Sequence, residues 1–283
     1  MPFSFILLLA LELQFGTLPR QWRPSGPNCL ETPDWQVHEY NANLYIIRES
    51  GCTNYEKPFL YLFFGADRAL LQDTGAGNTD IDRFIPKLLT QWAKRNNRPV
   101  PPLLVVHSHS HGDHVSGDKK LAALPNVSVV TAKPEEIEKA LGMPGWPEKA
   151  GIIELGGRQL DAIPIPGHDV ADLALYDRQT GLLLTGDTLY PGRLYVRTFP
   201  EYVKSIDRLV NFTKDLPVAH VLGTHIEQSR TPFTDYKAGT IYQPDETPLE
   251  LTRGDLLELQ SELSSMQGKP RLQALSRFTI TPK

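Results

Sequence analysis

The stretch LLVVHSHSHGDH, residues 103–114, carries four of the eight histidines of the chain directly after a short apolar run. The apolar run is typical of a strand that is buried on both faces of a sheet. If the chain is still extended at His109 and His111, their two-residue spacing directs both side chains to one side. The glycine that follows permits a tight turn, which places Asp113 and His114 at the start of a helix. Because imidazoles and carboxylates are common ligands of divalent ions, we predict two neighbouring ions, one bound by the first pair of residues and one by the second.

Three further strand ends complete this set, because four ligands from one loop cannot close two metal sites. The run IPIPG is followed by His168, LLLTG by Asp187 and VLGT by His225. Each of these residues alone is typical of an ordinary polar loop. Together with the first loop they form a set in chain order, which favours a metal centre built at the ends of several strands.

Short apolar runs alternate with helical patterns along most of the chain. The patterns predict strands at 35–48, 59–64, 68–72, 103–108, 127–131, 152–155, 159–165, 172–176, 182–185 and 218–222. They predict helices at 79–96, 115–124, 134–141, 200–215 and 253–266. This interleaving indicates an α/β fold with sheets inside and helices outside. We predict a lead-in over residues 1–34, the main domain over 35–230 and a C-terminal extension over 231–283 that packs on the domain.

The charge balance argues against a nucleic-acid partner. The 283 residues include 29 Lys and Arg against 33 Asp and Glu, which gives a formal net charge of −4. Because binding to phosphate backbones needs clustered positive charge, we expect a small-molecule substrate. No apolar run reaches the roughly 20 residues that span a bilayer, so we expect no membrane contact for the folded domain. The oligomeric state stays open.

The N-terminal region leaves the cellular location open. The stretch FSFILLLAL at 3–11 is similar to the apolar part of a secretory signal, although no Lys or Arg precedes it. If residues 1–16 are such a signal, the protein is periplasmic or secreted; otherwise it is cytoplasmic. Cys29 and Cys52 would suit a disulfide in an oxidising compartment, and two free thiols are the alternative.

The motifs at the strand ends resemble those of one known family. HSHGDH at 109–114, PGH at 166–168, TGDTL at 185–189 and GTH at 223–225 are similar to the motif set of the metallo-β-lactamase superfamily. The resemblance implies a four-layer αββα sandwich with two metal ions, usually Zn²⁺, at one edge between the sheets; iron and manganese are the alternatives. The ligands that it implies are His109, His111 and His168 for the first ion, Asp113, His114 and His225 for the second, and Asp187 as the bridge.

Two residues near the ligand loop are not ligands in this scheme. Asp73, in the sequence LQDTG, matches the aspartate that supports the ligand loop from behind in this family. Such support fixes the orientation of a metal-binding imidazole, and capping of a turn is the alternative role. His107 is additional to the motif, and we expect it to be a core or supporting histidine.

The resemblance also implies a hydrolytic mechanism. A hydroxide shared by the two ions would attack the carbonyl of the substrate, and Asp113 would pass the proton to the leaving group. Tyr190, three residues after Asp187, is similar in position to a tyrosine of the lactonases of this superfamily, whose phenol helps to bind the carbonyl. An aromatic side chain that only packs in the pocket wall is the alternative.

The expected substrate is a small acyl compound. The TGDTL context is typical of branches that cleave esters, lactones or thioesters, and the alternative is a metallo-β-lactamase that opens β-lactam rings. A plain glyoxalase II is disfavoured, because Tyr190 replaces the Phe of its motif and PGR at 191–193 lacks its GCGR element. An iron-dependent redox enzyme of the same fold is disfavoured, because the second position of the motif resembles Glu in the diiron reductases and is His111 in this sequence. A non-catalytic binding protein is disfavoured because such proteins tend to lose ligands, whereas all seven ligand positions are filled in this sequence.

Overall fold

The computed structural model describes residues 12–283. The apolar stretch at 3–11, on which the predicted signal depends, lies outside the described residues. The described part contains two six-stranded sheets and one three-stranded sheet. No helix in this part is long and apolar enough to cross a membrane.

The first sheet keeps its strands in chain order. Its strands are β1 (Trp35–Asn41), β2 (Leu44–Glu49), β3 (Phe59–Phe64), β4 (Ala69–Gln72), β5 (Leu103–Val106) and β6 (Val127–Val129). Strands β1 to β4 pair antiparallel, and β4, β5 and β6 pair parallel. The parallel pairs are joined by crossovers that contain the helices α1 (Ile81–Arg95), α2 (Gly112–Val115) and α3 (Asp118–Ala122).

The second sheet has the order β13-β12-β10-β9-β8-β7. Its strands are β7 (Gly151–Glu154), β8 (Gln159–Pro164), β9 (Leu173–Asp177), β10 (Leu182–Gly186), β12 (His220–Gly223) and β13 (Glu250–Leu251). The small sheet is formed by β11 (Arg193–Val196), β14 (Gln273–Ala274) and β15 (Thr279–Pro282). The remaining helices are α4 (Pro134–Leu141), α5 (Phe199–Phe212) and α6 (Arg253–Ser265).

Strand β3 shows how the layers are held together, because both of its faces are buried. Phe59, Tyr61 and Phe63 point into the core between the two large sheets. The alternate residues, among them Leu60 and Leu62, point to the other face and pack with the apolar stripe of α1. A third core lies between the second sheet and the helices α5 and α6. The predicted α/β arrangement, with sheets inside and helices outside, is therefore confirmed.

Several elements differ from the sequence-based prediction. The predicted strand at 35–48 is two strands joined by a turn, and the predicted helix at 115–124 is the two short helices α2 and α3. These helices are separated at Gly117, where a Cβ atom would lie 2.4 Å from the carbonyl oxygen of Thr74. The close approach of α3 to the chain after β4 thus requires glycine. Strands β11, β13, β14 and β15 were not predicted.

The C-terminal segment takes part in the main fold. It supplies β13 to the second sheet, and Gln260 of α6 donates a 2.7 Å hydrogen bond to Asp207 of α5. Arg48 of β2 donates two hydrogen bonds to the carboxylate of Glu246, and this ion pair is buried. The domain boundary at residue 230 stays a prediction. At the other end of the chain, a disulfide joins Cys29 to Cys52, in the loop between β2 and β3.

Candidate metal centre

All seven predicted ligands lie together at one edge of the two large sheets, and they form two groups. Within each group the ligand atoms are within 4.8 Å of one another. The first group is His109, His111, His168 and Asp187. The second group is Asp113, His114 and His225. The loop after β5 and the helix α2 provide four of the side chains, and the loops after β8, β10 and β12 provide the other three.

The first group is a set of converging imidazoles. Nδ1 of His111 lies 2.9 Å from Nε2 of His109 and 3.1 Å from Nε2 of His168. Oδ2 of Asp187 lies 3.7 Å and 3.6 Å from the same two Nε2 atoms. Four ligands at metal-bonding distance from one ion in a tetrahedron are about 3.4 Å apart. The donor set and its spacing therefore fit a divalent ion.

The second group combines one carboxylate with two imidazoles. Oδ2 of Asp113 lies 3.1 Å from Nε2 of His114 and 3.3 Å from Nε2 of His225. The two Nε2 atoms are themselves 3.3 Å apart. This group supplies three ligands at the spacing that one ion requires.

Asp187 lies between the two groups, at the end of β10. Its Oδ2 faces the first group, whereas its Oδ1 lies 3.2 Å from Nε2 of His225 and 3.7 Å from Nε2 of His114. The hydroxyl of Thr224 donates a hydrogen bond to Oδ1 and fixes the carboxylate. One carboxylate oxygen is thus directed to each group, which is the arrangement of a bridging ligand.

Backbone carbonyls orient the two histidines that come from remote loops. Nδ1 of His168 is 2.9 Å from the carbonyl oxygen of Tyr195 in β11, and Nδ1 of His225 is 2.9 Å from that of Glu56. A carbonyl can only accept a hydrogen bond, so each Nδ1 carries the proton. When the imidazole is neutral, each Nε2 consequently has a lone pair directed at the cluster, which is the form that binds a metal.

Asp73 lies behind the ligand loop, at the end of β4. Its Oδ1 accepts from the amide of Ser108 at 2.7 Å, and its Oδ2 accepts from the Ser108 hydroxyl at 2.8 Å. The same Oδ2 lies 3.0 Å from Nδ1 of His114. The backbone of Asp73 is in the left-handed region, with a φ of 69°, which is uncommon for a residue with a side chain. This geometry corresponds to support of the loop rather than to the alternative of a turn cap alone.

His107 lies outside both groups. It is buried, and its Nε2 is 3.2 Å from Oδ2 of Asp118 in α3. This position agrees with the expected core or supporting role.

Burial and charge act differently on the two groups. In the first group, burial lowers the pKa of His109 and of His168, which keeps both imidazoles neutral. In the second group, burial also disfavours charge, but the neighbouring carboxylates outweigh it and raise the pKa of His114 and of His225 well above the ordinary value. The same imidazoles hold the pKa of Asp113 below its usual range, despite the opposing effect of burial. A cation that binds to the second group would replace the protons that His114 and His225 otherwise carry on Nε2.

Tyr190 is buried beside the centre, and its hydroxyl is already engaged. The hydroxyl donates to the carbonyl of Arg193 and lies 3.2 Å from Oε2 of Glu227. The ring packs edge-on against His225, with 5.5 Å between the ring centroids. This geometry favours the alternative in which Tyr190 packs in the wall.

Several supporting groups were missed at the level of sequence. Asp172 is buried, and its Oδ2 accepts from the amides of His168 and Asp169 at 2.9 Å and 2.6 Å. Its position four residues after a candidate ligand was a signal that could have been used. Ser108 and Thr224 are small polar residues without a distinctive pattern, and the backbone carbonyls that anchor the histidines have none.

Comparisons with known proteins agree with this geometry. A sequence profile of the metallo-beta-lactamase superfamily matches residues 58–261. The acyl-coenzyme A thioesterase MBLAC2 of Bos taurus is 26% identical over 68% of this chain and 81% of its own length. The hydroxyacylglutathione hydrolase of Crocosphaera subtropica is 30% identical over 38% of this chain and 46% of its own length. The structure of a metallo-beta-lactamase from Pontibacter korlensis, 19% identical, superposes over 81% of this chain and 99% of that one with a TM-score of 0.55, which indicates the same fold.

Proposed function

The chain belongs to the metallo-beta-lactamase superfamily, and from this premise we propose that it is a dinuclear metal-dependent hydrolase of acyl thioesters. Esters and lactones are chemically related substrates of the same proposed reaction. Zinc is the proposed metal, because four of the five histidines in the two groups present a free Nε2 in a nitrogen-rich donor set.

The position of Asp187 carries this proposal. Its two carboxylate oxygens face different ligand groups, as expected for a residue that holds two ions side by side. Two such metal ions, when bound, supply a water molecule of lowered pKa, and they supply positive charge beside the carbonyl of the substrate. The remaining contributions come from the side chains of the protein.

Substrate would approach from the side of His111 and Asp113. Their side chains are 26% and 19% exposed, whereas those of His109 and His114 are fully buried. The carboxylate of Asp113 therefore lies at the open side of the centre. We assign to it the proton of the attacking water, which it would hold and deliver to the leaving group.

The names of the relatives favour a thioester within this class. The two curated relatives described above are named as a thioesterase and as a hydroxyacylglutathione hydrolase. A thiol has a pKa of about 8.5, so a thiolate leaves with little help from a general acid. One carboxylate at the open side is sufficient for such a leaving group.

Replacement of Asp187 tests the proposal directly. The wild-type protein, loaded with zinc, should hydrolyse an acyl-coenzyme A or a hydroxyacylglutathione faster than an acyl-homoserine lactone or a chromogenic β-lactam. Asp187→Asn keeps the shape of the side chain but removes its charge, so bound zinc and turnover should both fall. Metal content by mass spectrometry and kcat/KM are the measurements.

The matched control is Asp215→Asn, the same substitution at an exposed position that belongs to neither ligand group. It should leave both quantities unchanged. Full activity of Asp187→Asn would contradict the two-ion proposal, and a dominant β-lactam rate in the wild type would contradict the thioester assignment.

A further inference from the structure

A cavity of about 410 Å³ opens beside the metal centre. One of its lining residues is His168, which belongs to the first ligand group. The other lining residues include the apolar Pro134, Trp146, Pro147 and Val170 and the charged Asp169, Arg197 and Glu201. The cavity therefore adjoins the first ligand group at His168. Its volume is within the range of small-molecule pockets.

The loop that carries Trp146 is fixed in place. The amides of Gly145 and Trp146 both donate to Oε1 of Glu138 in α4, at 2.6 Å and 2.7 Å. The indole ring packs against the core between the two large sheets. The wall formed by this loop is consequently preformed and does not depend on a ligand to order it.

The residues that follow His168 in the chain also line the cavity. Val170 is an apolar side chain that is 67% exposed, close to a centre that is otherwise polar. Its neighbour Asp169 also lines the cavity, and the Oδ2 of Asp169 accepts a 2.9 Å hydrogen bond from Ser110. The valine thus presents apolar surface that a substrate could cover, which is favourable in water.

Three charged residues, Asp169, Arg197 and Glu201, also line the cavity. Glu201 is paired with Lys204 at 3.0 Å. The guanidinium of Arg197 makes no side-chain hydrogen bond or ion pair with the described residues, and the side chain is exposed. The apolar side chains of Pro134, Trp146, Pro147 and Val170 form another part of the lining, and this part suits a hydrocarbon group.

We propose that this cavity binds the acyl chain of the substrate, and that Trp146 and Val170 select apolar acyl groups longer than acetyl. The inference rests on the proposed thioester hydrolysis and names the acyl part of its substrate. Each methylene that enters the cavity should raise kcat/KM by about fourfold, which is the value of one buried methylene group. The rise ends where the chain outgrows the cavity.

A chain-length series with an uncharged carrier tests the proposal. The zinc-loaded protein is assayed with the acetyl, butyryl, hexanoyl and octanoyl thioesters of N-acetylcysteamine. We expect kcat/KM to rise along the series in the wild type. In Trp146→Ala the rise should be lost through KM, with the octanoyl to acetyl ratio lowered by at least tenfold.

Val170→Asp is the second variant, and it protects the test against misfolding of the tryptophan variant. The side chain is exposed, so the fold should tolerate the change. An apolar chain that covered the new carboxylate would remove it from water, which is unfavourable. Leu272→Asp is the matched control, because Leu272 is equally exposed at 69% and does not line the cavity. Only Val170→Asp should lower the octanoyl to acetyl ratio.

A binding measurement separates this inference from the proposed function. The thioether analogue of the octanoyl substrate cannot be hydrolysed, and its Kd is measured by calorimetry for the wild type and the Val170→Asp variant. Binding that this variant weakens, in a protein without thioesterase activity, would support the cavity and overturn the function. Thioester hydrolysis that does not depend on chain length, with equal ratios in wild type and both variants, would overturn the cavity assignment alone.

Discussion

Each of the two ligand groups is held by a backbone carbonyl and a buried carboxylate, but the carboxylate contacts a different part of the ligand in each group. In the first group, His168 donates to the backbone carbonyl of Tyr195, and its own amide is held by Asp172 four residues later. In the second group, the imidazole of His114 contacts the side chain of Asp73, the residue that follows β4 of the first sheet. The second group also needs the loop between β2 and β3, whose Glu56 carbonyl accepts from His225.

This difference indicates that the second group is the more vulnerable one. Asp73 contacts the imidazole of a ligand directly, whereas Asp172 contacts only the backbone amides of His168 and Asp169. The loop between β2 and β3 also comes from the opposite sheet to the β12 strand that carries His225. We therefore expect the ion of the second group to be lost first when supports are removed one at a time.

The largest effect is expected when a ligand of either group is removed. His168→Ala should leave a protein that binds one ion, in the second group, and His225→Ala a protein that binds one ion in the first. In each variant kcat/KM should fall by a factor on the order of 10³, because each of the two metal ions stabilises the transition state by several kcal/mol. Zinc stoichiometry and kcat/KM are measured side by side. Two bound ions in either variant would show that the groups do not act as separate sites.

A smaller effect is expected from Asp73→Asn. The amide keeps one acceptor for Ser108 but presents a donor or a weaker acceptor to Nδ1 of His114. Loss of such a support typically weakens metal affinity by about 10- to 100-fold. A competition titration with a chromophoric chelator should therefore show the second ion weakened more than the first, because Asp73 reaches the first group only through Ser108 and His109.

Asp118→Asn is the control for that experiment, because Asp118 faces His107 and not a ligand. It should leave both affinities near their wild-type values. If Asp73→Asn weakened both ions equally, the two groups would share their support, and the contrast between them would be wrong.

Removal of the disulfide should have a smaller effect on metal binding and a clear effect on stability. The bridge closes a loop of 23 residues and ties down the segment that presents the Glu56 carbonyl. Loop-closure entropy of this size corresponds to about 3 kcal/mol of unfolding free energy. The Cys29→Ser, Cys52→Ser double variant should unfold at lower urea concentration and bind the second ion a few times more weakly. Reduced wild-type protein should behave in the same way, and unchanged stability in both would contradict the role of the bridge.

The sequence predicted the ligands of the metal centre more easily than the residues that support them. Residues 103–114 hold four ligands in one short segment, so composition and spacing alone were informative. The remote ligands His168, Asp187 and His225 could be found because each follows an apolar run that becomes a strand. The carbonyls of Tyr195 and Glu56 could not be found, because every residue has a carbonyl and only the fold decides which one faces a histidine.

The same reasoning explains which strands were missed. Strands such as β3 are long apolar runs, and their burial on both faces can be read directly from their composition. Strands β13 and β14 contain two residues each, which is too short for a pattern. Strand β11 forms a ladder with β15, near the end of the chain, and this long-range pairing leaves no local trace in either segment.

The smallest effect on catalysis is expected from Tyr190→Phe, although the ring touches a ligand of the second group. The substitution keeps the edge-on contact with His225 and removes only the hydroxyl, which donates to the Arg193 carbonyl. A buried acceptor left without its donor costs about 1 kcal/mol or more, so the variant should be slightly less stable, with kcat/KM within about twofold of wild type. Removal of a hydrogen-bond donor to an oxyanion would instead lower kcat by about 10²- to 10³-fold. A loss of that size, with unchanged zinc content, would return Tyr190 to the reacting carbonyl and would mean that its hydroxyl leaves Arg193 when substrate binds.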